Sequence, residues 1–232
     1  MSSSYLSELL HSSIFRKQVV ALTGIAMVLF IIGHLVGNLL IFVGPEAFNK
    51  YAEFLASLGE LLWVVRIALG TCFVLHVYFT ITLALENRAA RAGRYAVNTS
   101  KGDANFARKF MILTGLLVFC VFFFHLRDFT FGDKVGPVTV VAGVNDGQSL
   151  GLFGLVWNSF LYLPRTIAYI LFVSCVGMHL SHGVQSLFQT LGFNHHRYTP
   201  LINRVSIALG IIVAVGFSSI PLYVLLKHTP SL

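Results

Sequence analysis

Five apolar runs, Val19 to Val43, Leu61 to Leu85, Phe110 to Phe129, Leu161 to Phe188 and Val205 to Leu226, occupy most of the 232 residues. At a rise of about 1.5 Å per residue, each is long enough as a helix to cross roughly 30 Å of hydrocarbon. Composition agrees, because 56% of the residues are hydrophobic, 11% are charged and the mean hydropathy is +0.79. A soluble core needs far more polar covering than that. The expected fold is therefore all-α: one integral membrane bundle of five transmembrane helices over residues 1–232, with no stretch left for a soluble catalytic domain. The first run is too long for a signal-peptide hydrophobic region and no small-residue cleavage site follows it, so it is expected to remain in the mature protein.

Lysine and arginine counted on the two sides of these runs predict the orientation, because short basic segments resist translocation. Arg16, Lys17, Arg88, Arg91, Arg94, Lys101, Arg108, Lys109, Arg197 and Arg204 fall on one side, ten in all. Lys50, Arg66, Arg127, Lys134, Arg165 and Lys227, six in all, fall on the other with six of the nine acidic residues. The N-terminus is thus expected in the cytoplasm and the C-terminus outside. The chain's +7 formal charge then sits on the inner face, as a topology signal and as a surface able to attract anionic lipid or an acidic partner.

Ionisable groups inside a membrane are costly and mark sites. Four of the five runs carry one such histidine each: His34, His76, His125 and His179. His34 stands 17 residues beyond Lys17 and His125 stands 16 beyond Lys109, which puts both about 25 Å from the inner flank. His76 and His179 stand 10 residues before Glu86 and Gln189, about 15 Å in. Two imidazoles from different helices at one depth are what a bis-histidine haem requires. The depths pair His34 with His125 at an outer haem and His76 with His179 at an inner one. Both irons would be six-coordinate, which points to electron transfer rather than chemistry at an open metal position.

His182 lies three residues after His179 on nearly the same face, so it is the alternative ligand or a partner for a haem propionate. A single membrane histidine is ordinarily a helix-to-helix hydrogen bond; the pairwise match in depth sets these four apart. Met27, Met111 and Met178 read as core filler. His11, His195, His196 and His228 fall at ends or in loops, and the fifth run, which has no internal histidine, is expected to close the bundle.

Cys72, Cys120 and Cys175 all lie inside apolar runs without a C-x-x-C pair, against a disulfide frame or a zinc site. C-x-x-C-H is also missing, so any haem is b-type, held by ligation and packing. Room for a flat macrocycle is expected at Gly33, Gly37, Gly70, Gly115, Gly177 and Gly183, although plain helix packing uses glycine in the same way.

Arg16-Lys17, Ala21-Leu22-Thr23-Gly24, Phe30 and His34-Leu35-Val36-Gly37-Asn38 resemble the first helix of the membrane-anchor cytochrome b subunits of succinate dehydrogenases and fumarate reductases. His179-Leu180-Ser181-His182-Gly183, Gln189-Thr190-Leu191-Gly192 and Asn194-His195-His196-Arg197-Tyr198 resemble the b558-type anchors of that family. In such anchors the fourth-helix ligand is a histidine four positions before a glycine, a pattern matched by His179 and Gly183.

The resemblance implies a five-helix, two-haem anchor in the cytoplasmic (inner) membrane, joined to a flavoprotein subunit that holds the succinate site and to an iron-sulfur subunit. Electrons from succinate, a tricarboxylic acid cycle substrate, would pass from the iron-sulfur chain to the inner haem, then to the outer haem and a quinone, with menaquinone expected. The basic inner loops would dock the partners, the complex could form a higher oligomer, and nucleic acid is not an expected partner. Some fumarate reductase anchors carry a glutamate, implicated in proton movement, two residues before the fourth-helix ligand; here that position is Gly177, which favours the dehydrogenase.

A quinone needs an apolar slot and one or two hydrogen-bond donors near a haem edge. Asn38, Glu60, Trp63, Arg66 and Arg165 are the polar candidates near the outer haem. Trp63 and Trp157 also read as interfacial belt residues. Arg66 and Arg165 read either as propionate partners or as side chains snorkelling to the surface. The segment from Asp128 to Asn158 carries Gly132, Gly136, Gly143, Gly147, Gly151 and Gly154, and Val138 to Val141 is expected as a short strand capping the bundle. Two other classes stay open: a di-haem anchor of another respiratory complex (fumarate reductase, nitrate reductase or hydrogenase type), and a haem-free transporter or structural anchor.

Overall fold

The structure, a computed structural model, describes residues 7–8, 10–90 and 104–228. Arg91, Arg94 and Lys101 of the expected basic loop lie outside the described residues, as do the side chains of Arg108, Lys109 and His228. Seven α-helices run through the described residues from Ser13 on: α1 Ser13–Leu39, α2 Pro45–Ser57, α3 Glu60–Ala89, α4 Ala104–His125, α5 Gly151–Leu161, α6 Leu163–Thr190 and α7 Thr199–His228. Five of these are long and apolar enough to cross a membrane: α1 with its 3-10 extension to Phe42, α3, α4 from Phe110 through a π-helical turn to Thr130, α6 and α7 to Lys227. Their outer faces carry unpaired apolar side chains, Ile67 and Ile212 being 65% and 60% exposed. A surface of that kind belongs in lipid, and the chain is a multi-pass membrane protein by this measure.

Contacts order the helices. α1 packs on α3, α6 and α7; α4 packs on α6; and α6 packs most extensively on α7. Phe73 closes the ring between α3 and α4 by stacking on Phe119 and Phe122. The helices α1, α3, α4 and α6 therefore form a four-membered ring in which α1 faces α4, and α3 faces α6, across the diagonals. Helix α7 lies outside this ring against α1 and α6, the closing position expected of it.

One end of the bundle, here the near end, is tied by Arg16 on α1. Its guanidinium donates to both oxygens of Glu86 on α3 at 2.7 Å and to the His11 carbonyl at 3.1 Å. Arg16 is 8% exposed, so the paired carboxylate is what permits its burial.

The far end carries a lid that apolar-run counting did not anticipate. Positive φ at Gly44 (132°) and Gly59 (55°) brackets α2, turns that side chains with a Cβ rarely make, and Pro45 with Glu46 opens its first turn. The expected run from Leu161 is interrupted: the chain is extended at Tyr162, and α5 ends there before α6 begins with Pro164 in its first turn. Thr166 spans the break by donating to the Phe160 carbonyl at 2.7 Å. Ile41, Phe48, Val141, Leu150, Phe153, Phe160 and Val224 then pack as one cluster joining α2, α5 and α7.

Val138–Val141 is not a strand. Pro137–Thr139 is a 3-10 turn, and only Val140 pairs with Ser149, as an isolated bridge. The backbone is instead held by Asn158, which donates to the Val138 and Val140 carbonyls at 2.7 and 2.8 Å, so a ladder is not needed to satisfy it. Asn49 clamps α2 to α5 from both ends of its amide, donating to the Leu150 carbonyl at 2.8 Å and accepting from the Phe153 amide at 3.1 Å. Asn49→Ala strands both groups at about 1–3 kcal/mol each, so its expected effect is a lower melting temperature in detergent micelles with the five long helices retained by circular dichroism.

Candidate functional site: two histidine pairs on opposite helices

The four membrane histidines converge as two pairs, each drawn from diagonally opposite helices. His34 of α1 and His125 of α4 meet with ring centroids 5.8 Å apart and planes at 87°. Phe30 stacks on His34 at 5.3 Å, Phe217 of α7 lies at 5.6 Å, and Phe129 and Tyr169 flank His125 at 5.5 and 6.2 Å. His76 of α3 and His179 of α6 lie on the other diagonal, within electrostatic range of each other. All four are half-buried. Among the described residues no three His, Cys, Asp or Glu side chains gather at one point; the buried donors come in twos.

The near pair is held in a way the apolar patterning did not disclose. Thr23 of α1 donates to its own helix at the Val19 carbonyl (2.7 Å) and turns a lone pair to His76 Nδ1 at 3.2 Å. The Val20 carbonyl lies 3.1 Å from the same nitrogen. A carbonyl only accepts, so Nδ1 carries the proton and Nε2 is left as a free base. On α4 the arrangement repeats: Thr114 donates to the Phe110 carbonyl at 2.9 Å and faces His179 Nδ1 at 3.4 Å. The glycine after each threonine adjoins the ring: a Cβ on Gly115 would crowd His179 Cε1 at 3.2 Å, whereas one on Gly24 would make an ordinary contact with His76 Cε1 at 3.5 Å.

A repeat in the chain carries this signal. Leu22-Thr23-Gly24 is followed ten residues after the glycine by His34, and Leu113-Thr114-Gly115 is followed at the same interval by His125. Cys72 and Cys175 likewise precede His76 and His179 by four residues each. Threonine and histidine 11 residues apart fall within about 20° on a helix of 3.6 residues per turn and about 16 Å apart along it. Each of α1 and α4 thus presents, on one face, a holder for the near pair and a member of the far pair. Along α1 the tiers are separated by about 16 Å rather than the roughly 10 Å obtained from the helix ends, because helices that cross share no common zero.

Among the other expected residues, Asn38 is engaged by His34 itself, donating to its carbonyl at 2.8 Å with the ring nitrogens at 3.3 and 3.5 Å. Arg66 lies over the Trp63 ring at 5.1 Å, and both are exposed on α3. Glu60 is exposed in the first turn of the same helix. Arg165 leans on Asp128, 3.8 Å away, and Tyr169 donates to the same carboxylate at 3.1 Å; Asp128 lies in the π-helical turn that follows His125. His182 is half-buried one turn from His179, with no hydrogen-bond partner among the described residues.

Trp157 is not a belt residue. It stacks on Phe153 at 5.4 Å and meets Tyr223 at 6.0 Å inside the lid, with its Nε1 buried and unpaired. Gly37 makes room for the Tyr51 ring of α2, and Gly177 for the Gly210 backbone of α7; neither faces a histidine pair. Gly33, Gly70 and Gly183 have open space where a side chain would stand.

No protein-family model matches the chain, and no curated protein or solved structure matches it.

Proposed function

We propose that this chain is the di-haem b membrane anchor of a succinate:quinone oxidoreductase. Its two histidine pairs would serve electron transfer from an iron-sulfur subunit to a membrane quinone, expected to be menaquinone. The observation that carries the haem reading is the meeting of His34 and His125 across one diagonal of the ring, with His76 and His179 in electrostatic range across the other. With metal-to-nitrogen bonds of about 2 Å on each side, two imidazoles on one iron place their centroids about 6 Å apart, and His34 and His125 stand at 5.8 Å. His76 and His179, with Nδ1 as donor, offer Nε2 toward each other's side of the ring, and they, rather than His182, are the near-tier ligands.

Haem b held by two histidines supplies one-electron transfer with no open coordination position. The protein's part is to fix imidazole orientation and to exclude water with Phe30, Phe129 and Phe217. The quinone is placed beside the far tier, where Arg165 and Tyr169 share Asp128 close to His125. The excess of basic residues toward the near end assigns that end to the cytoplasm, with the N-terminus, in the cell's inner membrane; the flavoprotein and iron-sulfur subunits dock there.

The test is purification of the complex from its native membrane. The expected result is a reduced-minus-oxidised spectrum with b-type bands, copurifying flavoprotein and iron-sulfur subunits, and quinone reduction on addition of succinate. Absence of b-type bands from haem-replete membranes overturns the haem reading. Haem bands without succinate-dependent quinone reduction overturn the assignment to succinate and leave a di-haem anchor of another respiratory complex.

A further inference from the structure

We propose that Thr23 and Thr114 are a matched pair of positioning residues that fix the ring orientation and tautomer of His76 and His179, and so set the redox potential of the near-tier haem independently of the far-tier one. The inference rests on the haem reading above. Each threonine hydroxyl has only one hydrogen and gives it to a carbonyl one turn back on its own helix, Val19 for Thr23 and Phe110 for Thr114. What each turns to the histidine is therefore a lone pair, at 3.2 and 3.4 Å from Nδ1. The adjoining glycines lie beside the rings, a Cβ on Gly24 coming to 3.5 Å and one on Gly115 to 3.2 Å from ring Cε1.

Two helices with unrelated loops arrive at the same arrangement, and the repeat Leu-Thr-Gly with histidine ten residues on is the sequence that produces it twice. The far pair has no such acceptor. Asn38 Nδ2 gives one hydrogen to the His34 carbonyl at 2.8 Å and keeps the other for the ring nitrogens at 3.3 and 3.5 Å, a donor where Thr23 and Thr114 offer a lone pair, and among the described residues no hydroxyl or carbonyl acceptor meets His125.

An acceptor on the outer nitrogen of a metal-bound imidazole makes the ligand more basic and favours the more highly charged metal. Removing that oxygen should favour the reduced iron, so the near-tier potential rises. Thr23→Val and Thr114→Val keep shape and delete the oxygen. The Val20 carbonyl at His76 and the Met111 carbonyl at His179 remain as acceptors, so one hydrogen bond is lost, equivalent to an about 2- to 10-fold change in the ferric-to-ferrous equilibrium.

The experiment is a spectroelectrochemical titration of the purified complex, with low-spin electron paramagnetic resonance reporting the imidazole orientation at each haem. The two signals are assigned beforehand with His76→Ala and His34→Ala. Expected is a rise in the near-tier potential with a changed near-tier resonance in both valine variants. The far-tier haem stays put, and Thr23→Ser and Thr114→Ser restore the wild-type values. Loss of the near-tier haem alone, with the serine variants retaining it, counts the same way. The proposal is overturned if both valine variants keep wild-type values, if the far-tier haem is the one that moves, or if serine fails where valine fails. A wild-type complex without b-type bands would instead overturn the haem reading beneath it.

Discussion

His76→Ala and His179→Ala are expected to lose one and the same b-type haem, and His34→Ala and His125→Ala the other. The ring of helices makes this pairing strict. Helices α1 and α4 lie on one diagonal and α3 and α6 on the other, so a mixed pair such as His34 with His179 would join ring neighbours at two different heights. On the haem reading each single variant would remove one of two protein bonds to an iron, and the resulting five-coordinate haem, held by one histidine and by packing, is expected to be lost in purification or to become high-spin. The measurement is haem-to-protein stoichiometry with reduced-minus-oxidised spectra. About half the haem should remain in each variant, with one set of bands in the first two and the complementary set in the others. His182→Ala is the control and should keep both haems, because α4 supplies a threonine and a glycine to His179 and nothing comparable to His182. Loss of a shared haem by His34→Ala and His179→Ala would refute the arrangement.

Length and apolarity make the five spans legible in the sequence, since both are properties of uninterrupted runs. What they could not show is the lid. Helix α2 is short and amphipathic, and the residues of α5 merge by hydropathy with those of α6, so only the extended Tyr162 and Pro164 divide them. The strand expected at Val138–Val141 rested on β-branched composition, which describes fit to a pleated surface rather than a backbone preference. In this protein the Asn158 amide satisfies those carbonyls without a partner strand.

The histidines were legible because charge in lipid is rare; their holders were not, because threonine and glycine are ordinary residues in membrane helices. The doubled Leu-Thr-Gly was the available signal, and comparison of the chain with itself would have exposed it. Trp157 and Gly37 both serve contacts with the lid, Trp157 with Phe153 and Gly37 with Tyr51, so the belt position expected of Trp157 gives way to the lid and Gly37 follows the plain helix-packing reading.

Gly177→Glu is expected to be the most damaging single change outside the histidines. A glutamate two residues before the fourth-helix ligand belongs to some anchors of the family the sequence resembles, yet in this fold the position faces α7 rather than the space between the histidine pairs. A Cβ on Gly177 would lie 2.5 Å from the Gly210 carbonyl oxygen and 2.8 Å from Ala214 Cβ, and one on Gly210 would run into the Gly177 backbone in return. The two glycines are thus mutually required where α6 and α7 cross. Backbone cannot rotate aside as a side chain does, so even Gly177→Ala must push the helices apart, at about 1–3 kcal/mol for overpacking. Glutamate adds a buried polar group without a partner, for several kcal/mol in all. The readout is thermal unfolding in detergent micelles, where a fall of about 5 °C or more is expected for the alanine variant and failure to accumulate for the glutamate variant. Gly183→Ala, placed in open space on the same helix, should be neutral or slightly stabilising through helix propensity alone. Wild-type melting for Gly177→Glu would show that α6 and α7 do not meet at these glycines, and would reopen the proton route that the crossing otherwise blocks.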